Sequence, residues 1–584
     1  MRSTFFGLEI GRTGINMGQL GLDVTGHNIA NINTRGYTRQ RVVQTALDPF
    51  NAIGRFAPAA QALVGGGSSV LSHERMRLVH LDRRFRAENT NSAYWNVRTF
   101  NLRHIESFFD NVNEETSINF TISRFFEATK TLASDPVSGA NRVLLRDAGR
   151  DFASQMNIIH HGLMQIQAAN DLAVRTLTTQ INSKAEQIRV LNIAIFEHEL
   201  GGQLVANDLR DKRDVLLDDL SQIVEIDFQE VTDNWGFGRM VVTIGGRELV
   251  NHNVRHPVGI REEDNVIDGH PPVAIPVWVD ADGYPLEMPP IPPGIDPIPI
   301  DLRVRGGELG ANMEMRDGYA VTSKGVPYYV ELLNNMARLM VQEINAQHRL
   351  GWSDPPIGES RDNINFFWAV DGDGNLLPGQ WVDATGALYT GPMHEYPALS
   401  GVFWPSSQYD SVTNERLPGD RTVFYTIDIN LVTAENIVVH PDIIRDAFNI
   451  AASDTQIVRG GAAEELQRGN NVNMNAIFAL THRRDFVLNV GGEVINAGGF
   501  DHFAGSIRFD IAAELNFGRA IADTANTLLL HASLQRESVS GVDMDEEMVN
   551  LVRYQHAFSG AARVITAMDE LLDRLINGTG RVGL

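Results

Sequence analysis

His252 and His256 stand four apart in His-Asn-Val-Arg-His, the separation that puts two imidazoles on one face of a helix for a zinc ion. The glutamate that should follow the first histidine is missing, and the flanking text is loop-like, so both read as surface histidines. Asp371, Asp373 and Asn375 open like a calcium loop. The sixth position is Leu376 where a sharp turn needs glycine, and the twelfth is Val382 where a bidentate glutamate belongs. Val370-Asp371-Gly372 and Val279-Asp280-Ala281-Asp282-Gly283 read better as hairpin turns. There is no Walker sequence, no glycine fingerprint after a strand and no Gly-x-Ser-x-Gly elbow. The chain has 0 cysteines, which removes thiolate ligands, thiol nucleophiles and disulfides. A carboxylate-pair hydrolase assembled from distant residues stays open. The expectation is no catalytic residues, no metal ligands, no cofactor and no enzyme activity.

The residue pattern speaks of association. In the helix expected from Asp545 to Ile576, Met548, Leu551, Gln555, Phe558, Ala562, Ile565, Asp569, Leu572 and Ile576 follow alternating steps of three and four. At the other end, Ser3 to Asn31 reads as a helix with Leu8, Ile15, Leu22 and Ile29 seven apart and Gly11, Gly18 and Thr25 interleaved. Gly7, Gly14, Gly21 and Gly26 add to its glycine load, each costing up to about 1 kcal/mol of helix propensity. Such a helix is weak alone, yet its small residues let another backbone come close, so a neighbour should order it. Periodicity leaves open whether the two ends pack together or each lies on an ordinary core. Asn31 to Tyr37 is turn chemistry, with Gly36 supplying left-handed geometry, and Thr38 to Thr45 alternates like a strand.

These ends frame several expected units. The fold class is α+β and multidomain: a discontinuous, coiled-coil-like terminal helical domain, a long-helix rod domain and β-rich middle domains. Residues 1–65 hold the N-terminal helix and turn, with the joint Gly65-Gly66-Gly67-Ser68-Ser69 as the first boundary. Residues 66–222 form the helical rod: Asn91 to Asn111, Asn119 to Ala133 stopped by Ser134-Asp135-Pro136, Arg142 to Ile195 closed by Gly201-Gly202, and Asn207 to Ile223. Residues 223–307 are β-rich and include the proline-dense stretch Pro271 to Pro299. Residues 308–353 return to the rod through a helix at Tyr328 to His348. Residues 354–436 are a β-rich, variable outer insert with a strand at Val423 to Val432. Residues 437–540 are a helical return, and 541–584 the C-terminal helix that pairs with the first.

With 584 residues, 43% hydrophobic and 21% charged, the chain is long enough for three or four folded domains. Its formal charge of −24 argues against non-specific nucleic-acid binding. Met1 to Arg103 runs the other way, net +7 from 13 Arg, no Lys and 6 acidic residues. That arm either meets acidic neighbours within the protein, which is the commoner use of such a surface, or touches a nucleic acid or anionic membrane. No apolar run reaches membrane-span length, and the start lacks a cleavable secretory signal. The expectation is a protein that is cytoplasmic or exported without cleavage, with no membrane insertion.

The segment Gly21-Leu22-Asp23-Val24-Thr25-Gly26-His27-Asn28-Ile29-Ala30-Asn31-Ile32-Asn33-Thr34-Arg35-Gly36-Tyr37 resembles the N-terminal signature of the bacterial flagellar rod, hook and hook-associated proteins. Tyr37-Thr38-Arg39-Gln40 is nearer the hook-associated branch. Arg35 departs from the proline that many relatives carry. Ser538 to Leu551, Tyr554-Gln555 and Ala561-Ala562-Arg563 are similar to the matching end of junction members of that family. Ala206 to Asp214, Ser134-Asp135-Pro136, Arg142 and Val341 to His348 extend the likeness, whereas 354–436 matches nothing nameable. The resemblance implies an inner domain of paired terminal helices, axial stacking and an adaptor layer between hook and filament. It implies as partners copies of the same chain in a ring or helical layer, the hook protein, a second hook-associated protein, and an export chaperone at the C-terminal helix. It also implies secretion to the extracellular flagellum by the type III route. The residues expected to carry assembly are Leu8, Ile15, Leu22, Ile29, Met548, Leu551, Gln555, Phe558, Ile565 and Leu572, with Asn28, Asn31, Gly36 and Tyr37 shaping the turn. A hook or distal rod subunit is the alternative; an enzymatic or adhesive insert is a further one.

Overall fold

The computed structural model describes residues 5–47, 65–109, 117–200, 205–232, 238–287, 298–356, 362–383, 386–391, 393–395, 403–405, 409–410, 415–416, 423–490 and 493–578. The Gly201-Gly202 stop, the middle of the proline-dense stretch and much of the insert lie outside these residues. In chain order, helix α1 (Phe6–Ala30) leads to a hairpin of β1 (Gln40–Ala46) and β2 (Ser68–Arg75), then α2 (Val79–Phe109), α3 (Ile118–Ser134), α4 (Gly139–Glu199) and α5 (Asn207–Ile223). Later come α6 (Gly307–Asp317), α7 (Val326–His348), the short α8 (Pro441–Arg445), α9 (Glu464–Arg468) and α10 (Val472–Ala479), and the long α11 (Phe500–Ser540) and α12 (Met544–Gly578). The architecture is α+β, with small antiparallel sheets set among long helices.

Helix α4 is the spine. Its 61 residues span about 90 Å at 1.5 Å per residue, which is longer than one core, and it serves two. Leu145, Phe152, Met156, Ile159 and Leu163 pack with Ile122 and Phe125 of α3 and with Tyr329, Leu333 and Met340 of α7. Further along, Val174, Ile181 and Ile188 meet Leu217 and Leu220 of α5 and the sheet residues Val242, Val250 and Trp278. That second core is roofed by an antiparallel sheet of 227–232, 238–244, 247–251 and 254–255, with 258–263 paired to 273–278 beside it. Helices α2 and α11 run antiparallel, joined by Arg98 to Glu514 at 2.8 Å and Ser92 to Asn526 at 2.5 Å.

Several elements differ from the sequence expectation. β1 and β2 pair from Gln40↔Arg75 to Ala46↔Ser68, so the boundary at Gly65 would cut a hairpin. Helix α2 begins at Val79, twelve residues before Asn91, because its first turns bury the polar side chains Asp82, Arg86 and Thr90 and carry no apolar stripe. The segment 437–540 is not continuously helical, since Phe486–Val490 and Glu493–Gly498 form a hairpin before α11. Strand 423–427 ends early and passes into a short turn of helix at Ile429–Leu431. The insert's base is closed by Phe367–Ala369 pairing with Ile437–Val439. Asp371 Oδ1 accepts the amides of Asp373 and Asn375 at 3.0 and 2.8 Å. Asp280 does the same for Asp282 and Tyr284. Both are hairpin turns held by an aspartate. His252 lies in a turn at φ +50°, so the His252–His256 spacing does not stack the rings on a helix face.

His348, at the end of α7, joins three segments. Its Nε2 accepts the Ala451 amide at 3.0 Å, which leaves the proton on Nδ1, 2.7 Å from the Ile364 carbonyl. Burial pushes its pKa down to about 4, so the folded chain keeps it neutral. Its folded pKa lies below the unfolded value near 6.5. This contribution is therefore complete above pH 6.5 and lost as pH falls toward 4, with a span of about 3 kcal/mol. Urea unfolding at a series of pH values should show this loss in the parent chain. In His348→Gln the slope between pH 6.5 and 4.5 should shrink by that share.

Candidate assembly interface

The two chain ends meet as an antiparallel pair, and glycine sets their separation. A Cβ placed on Gly7 would strike Met568, on Gly11 Ile565, on Gly18 Phe558, and on Gly21 the Tyr554 ring. At Gly18 the obstruction is backbone: the added carbon would lie 2.9 Å from both N and Cα of Phe558. Gly14 faces Ala561 in the same series. One face of α1 is thus a glycine groove into which α12 lays larger side chains. The helix-propensity cost of those glycines is the condition for this close approach.

Beyond the groove the seam turns polar. Asn28 is 1% exposed, and all four of its hydrogen-bonding positions are used. Its Nδ2 donates to the Gln40 carbonyl at 2.9 Å and to Glu547 Oε2 at 3.0 Å. Its Oδ1 accepts the Gln40 amide at 3.0 Å and the Tyr37 hydroxyl at 2.8 Å. Glu547, 2% exposed, also takes Arg39 Nε at 2.8 Å, and the Arg39 amide donates to the Ser540 carbonyl at 2.9 Å. Burial, and then the charges of Asp208, Asp211 and Glu547, raise the Tyr37 pKa, so its hydroxyl stays protonated as a donor. Asn31 Nδ2 caps the His27 carbonyl at 3.0 Å. Gly36 sits at φ +79°, and a Cβ there would meet Val215 at 2.1 Å. The turn therefore needs glycine for conformation and for space.

Helix α5 receives this turn and the arginine-rich arm. Asp211 accepts the Thr38 amide at 2.9 Å and Arg75 at 2.8 Å, and Asp208 accepts Gln40 Nε2 at 2.9 Å. Asp214 is contacted by Arg75 at 2.8 Å, Arg77 at 3.1 Å and Arg86 at 3.2 Å. Arg86 also binds Asp218 at 2.7 Å, and Arg536 of α11 reaches that same carboxylate at 2.6 Å. Burial alone would raise the Asp214 pKa, but the Arg77, Arg75, Arg86 and Arg213 charges outweigh it and hold it well below the usual carboxylate range. Much of the basic arm thus meets acidic neighbours inside the chain, with Arg35 on Asp219 and Arg98 on Glu314 continuing the pattern.

The seam differs in register from the apolar stripe read in the sequence. Phe558 and Ile565 lie in it, and Leu551 and Leu572 are half-buried. Met548, at 49% exposure, and Gln555, Asp569 and Ile576 point away. Glu547, Tyr554, Ala561 and Met568, each one position earlier than expected, take the inner places. Leu8, Ile15, Leu22 and Ile29 are half-buried and flank the groove rather than form it. Hydrophobicity selects Met548 over Glu547, whereas the structure selects the carboxylate that Asn28 and Arg39 can hold. Sequence reasoning missed Arg39, Glu547, Asp211 and Asp214, which are scattered along the chain and share no local motif. Glu547 carries no signal of its own, since an acidic residue in the first turn of a helix is ordinary dipole chemistry.

Gly18→Val should force the pair apart. Amide exchange in 551–572 should accelerate at least about tenfold, roughly 1.4 kcal/mol of local stability, with α4 unchanged. Asp214→Asn removes the charge on which three guanidiniums converge and should cost about 3–5 kcal/mol in urea unfolding. Because its folded pKa is depressed, the Asp214 contribution is present above about pH 4 and lost as pH falls further.

Comparison with known proteins fits this geometry. Residues 102–360 match the family described as the flagellar hook-associated protein FlgK helical domain. Residues 535–578 match the flagellar basal body rod FlgEFG protein C-terminal family. The chain is 27% identical over 587 aligned residues to flagellar hook-associated protein 1 of Bacillus subtilis (strain 168), covering 99% of each. It is 24% identical to flagellar hook-associated protein 1 of Escherichia coli (strain K12), over 97% of this chain and 98% of that one. Among solved structures, the flagellar hook junction protein FlgK from Burkholderia pseudomallei aligns with a TM-score of 0.48 and 15% identity, over 79% of this chain and 100% of that one. The helical domain in the middle, the rod-type C-terminal segment and the end-to-end likeness to the curated relatives agree: the chain is similar along its whole length to flagellar hook-associated protein 1.

Proposed function

We propose that this chain is a structural subunit forming the adaptor layer between flagellar hook and filament, and that it catalyses no reaction. One observation carries the reading: the terminal helices already pair with each other, yet the pair leaves apolar side chains facing outward. Val549, Val552, Leu571 and Ile576 of α12 are exposed, and outside the pair so are Phe509, Phe517, Leu530 and Leu534 of α11. A row of this kind costs solubility in a free chain and stabilises contact with neighbours. Copies of this chain, the hook protein and the second junction protein are the partners such a face fits. Before assembly the same face on α12 suits an export chaperone, and the cysteine-free chain suits unfolded export by the flagellar type III route without signal cleavage. No helix among the described residues is long and apolar enough to cross a membrane.

A hook or distal rod subunit is the second reading, favoured by the rod-type match at 535–578. The helical-domain match over 102–360 supports the junction instead. Deleting 545–584 should leave a folded, soluble monomer by circular dichroism and gel filtration that is absent from the hook tip, with filament growth abolished. Normal filaments on that mutant would overturn the proposal.

A further inference from the structure

Away from the terminal pair, α4 presents Asn157, His160, Met164 and Gln167 on one face at helical spacing. Three chain segments converge there. Asn157 Nδ2 donates to the carbonyls of Ala434 and Glu435, both at 2.8 Å, fixing the foot of the outer insert against the helix. Gln167 exchanges two hydrogen bonds with Asn265, at 3.0 and 3.1 Å, and Asn265 also donates to the Pro271 carbonyl at 3.1 Å. That pins the loop between strands 258–263 and 273–278. Between the two anchors, His160 of α4, His270 of the pinned loop and Glu435 of the insert foot bring their ligand atoms within 4.8 Å of one another. His270 Nε2 is 3.8 Å from Glu435 Oε2, and the two imidazole centroids are 5.7 Å apart. His160 is 3% exposed. Its imidazole lines a cavity of about 440 Å³ together with the other two groups.

We propose that His160, His270 and Glu435 bind a divalent transition-metal ion of the zinc type. Two imidazole nitrogens and one carboxylate oxygen suit zinc, copper or nickel, whereas calcium and magnesium require a shell of oxygens. Bonds of about 2.0–2.2 Å around a tetrahedral ion separate its ligands by about 3.4 Å. The three side chains therefore need to draw in by roughly 1 Å, which rotation of the exposed Glu435 and of His270 provides. The fourth position opens on the cavity and takes water. The ion clips the spine helix, a loop of the second core and the outer insert, so its effect is to hold the insert at a set angle to the rod. Residues 160, 270 and 435 share no sequence motif, so no metal site is visible before folding.

The test uses the full chain, stripped with chelator and titrated with Zn²⁺ alone by calorimetry, with Ca²⁺ and Mg²⁺ as controls and Co²⁺ absorption as a report on ligand type. Expected is a single saturable Zn²⁺ site, a higher thermal midpoint with Zn²⁺, and visible Co²⁺ bands of a nitrogen–oxygen tetrahedral centre. His270→Gln and Glu435→Gln, both outside the helices, should keep the far-ultraviolet spectrum and each weaken Zn²⁺ by more than about tenfold. His252→Gln should leave affinity unchanged. Absence of saturable binding, or binding that survives His270→Gln undiminished, would overturn the proposal.

Discussion

Everything at the base of this molecule depends on how closely two helices from opposite ends of the chain approach. Gly7, Gly11, Gly18 and Gly21 remove the side chains that would hold α12 off, and Met568, Ile565, Phe558 and Tyr554 fill the space they leave. The glycines weaken α1 as a lone helix by up to about 1 kcal/mol each, so its order is borrowed from α12. A helix pair built this way is conditional on both ends being present.

The polar lock at the end of the groove gives the pair its register. A glycine groove alone tolerates sliding by one turn, because each side chain of α12 would find another glycine three or four residues on. Asn28, with its four bonds satisfied, and Glu547, held by Asn28 and Arg39, admit a single alignment. Buried polar groups that specify register at some cost in stability are known from coiled coils, and the same logic operates here. The lock is tied in turn to α5 through Asp208 and Asp211, and from there through Asp214 and Asp218 to α2 and α11. The terminal helices are thus joined to the rod by charged contacts.

Much of this was legible in the residues. Helix α5 was read from Asn207 to Ile223 to the residue, and the glycine load of α1 announced a helix waiting for a neighbour. What could not be read follows from physics that is non-local. The stripes 548/551/555/558 and 547/551/554/558 satisfy the same three-and-four spacing, and only a partner contributing Asn28 and Arg39 decides between them. The Phe486–Gly498 hairpin hid because short apolar runs suit helix and strand alike. Joining 40–46 to 68–75 makes a hairpin of what looked like a glycine joint between domains. The arginine network was anticipated only as a charge imbalance, since the carboxylates that meet it lie more than a hundred residues downstream.

On the proposed function, the two ends of one chain form the pair and keep it in the assembled junction. The chain contains no cysteine, so Gly14→Cys with Ala561→Cys, whose facing positions are within contact distance, gives a clean report. Oxidation of isolated hook–filament particles carrying this double variant should close a disulfide within a single chain, seen as faster migration of the denatured monomer. Cross-linked dimers in place of that species, or two thiols that never join, would contradict the account.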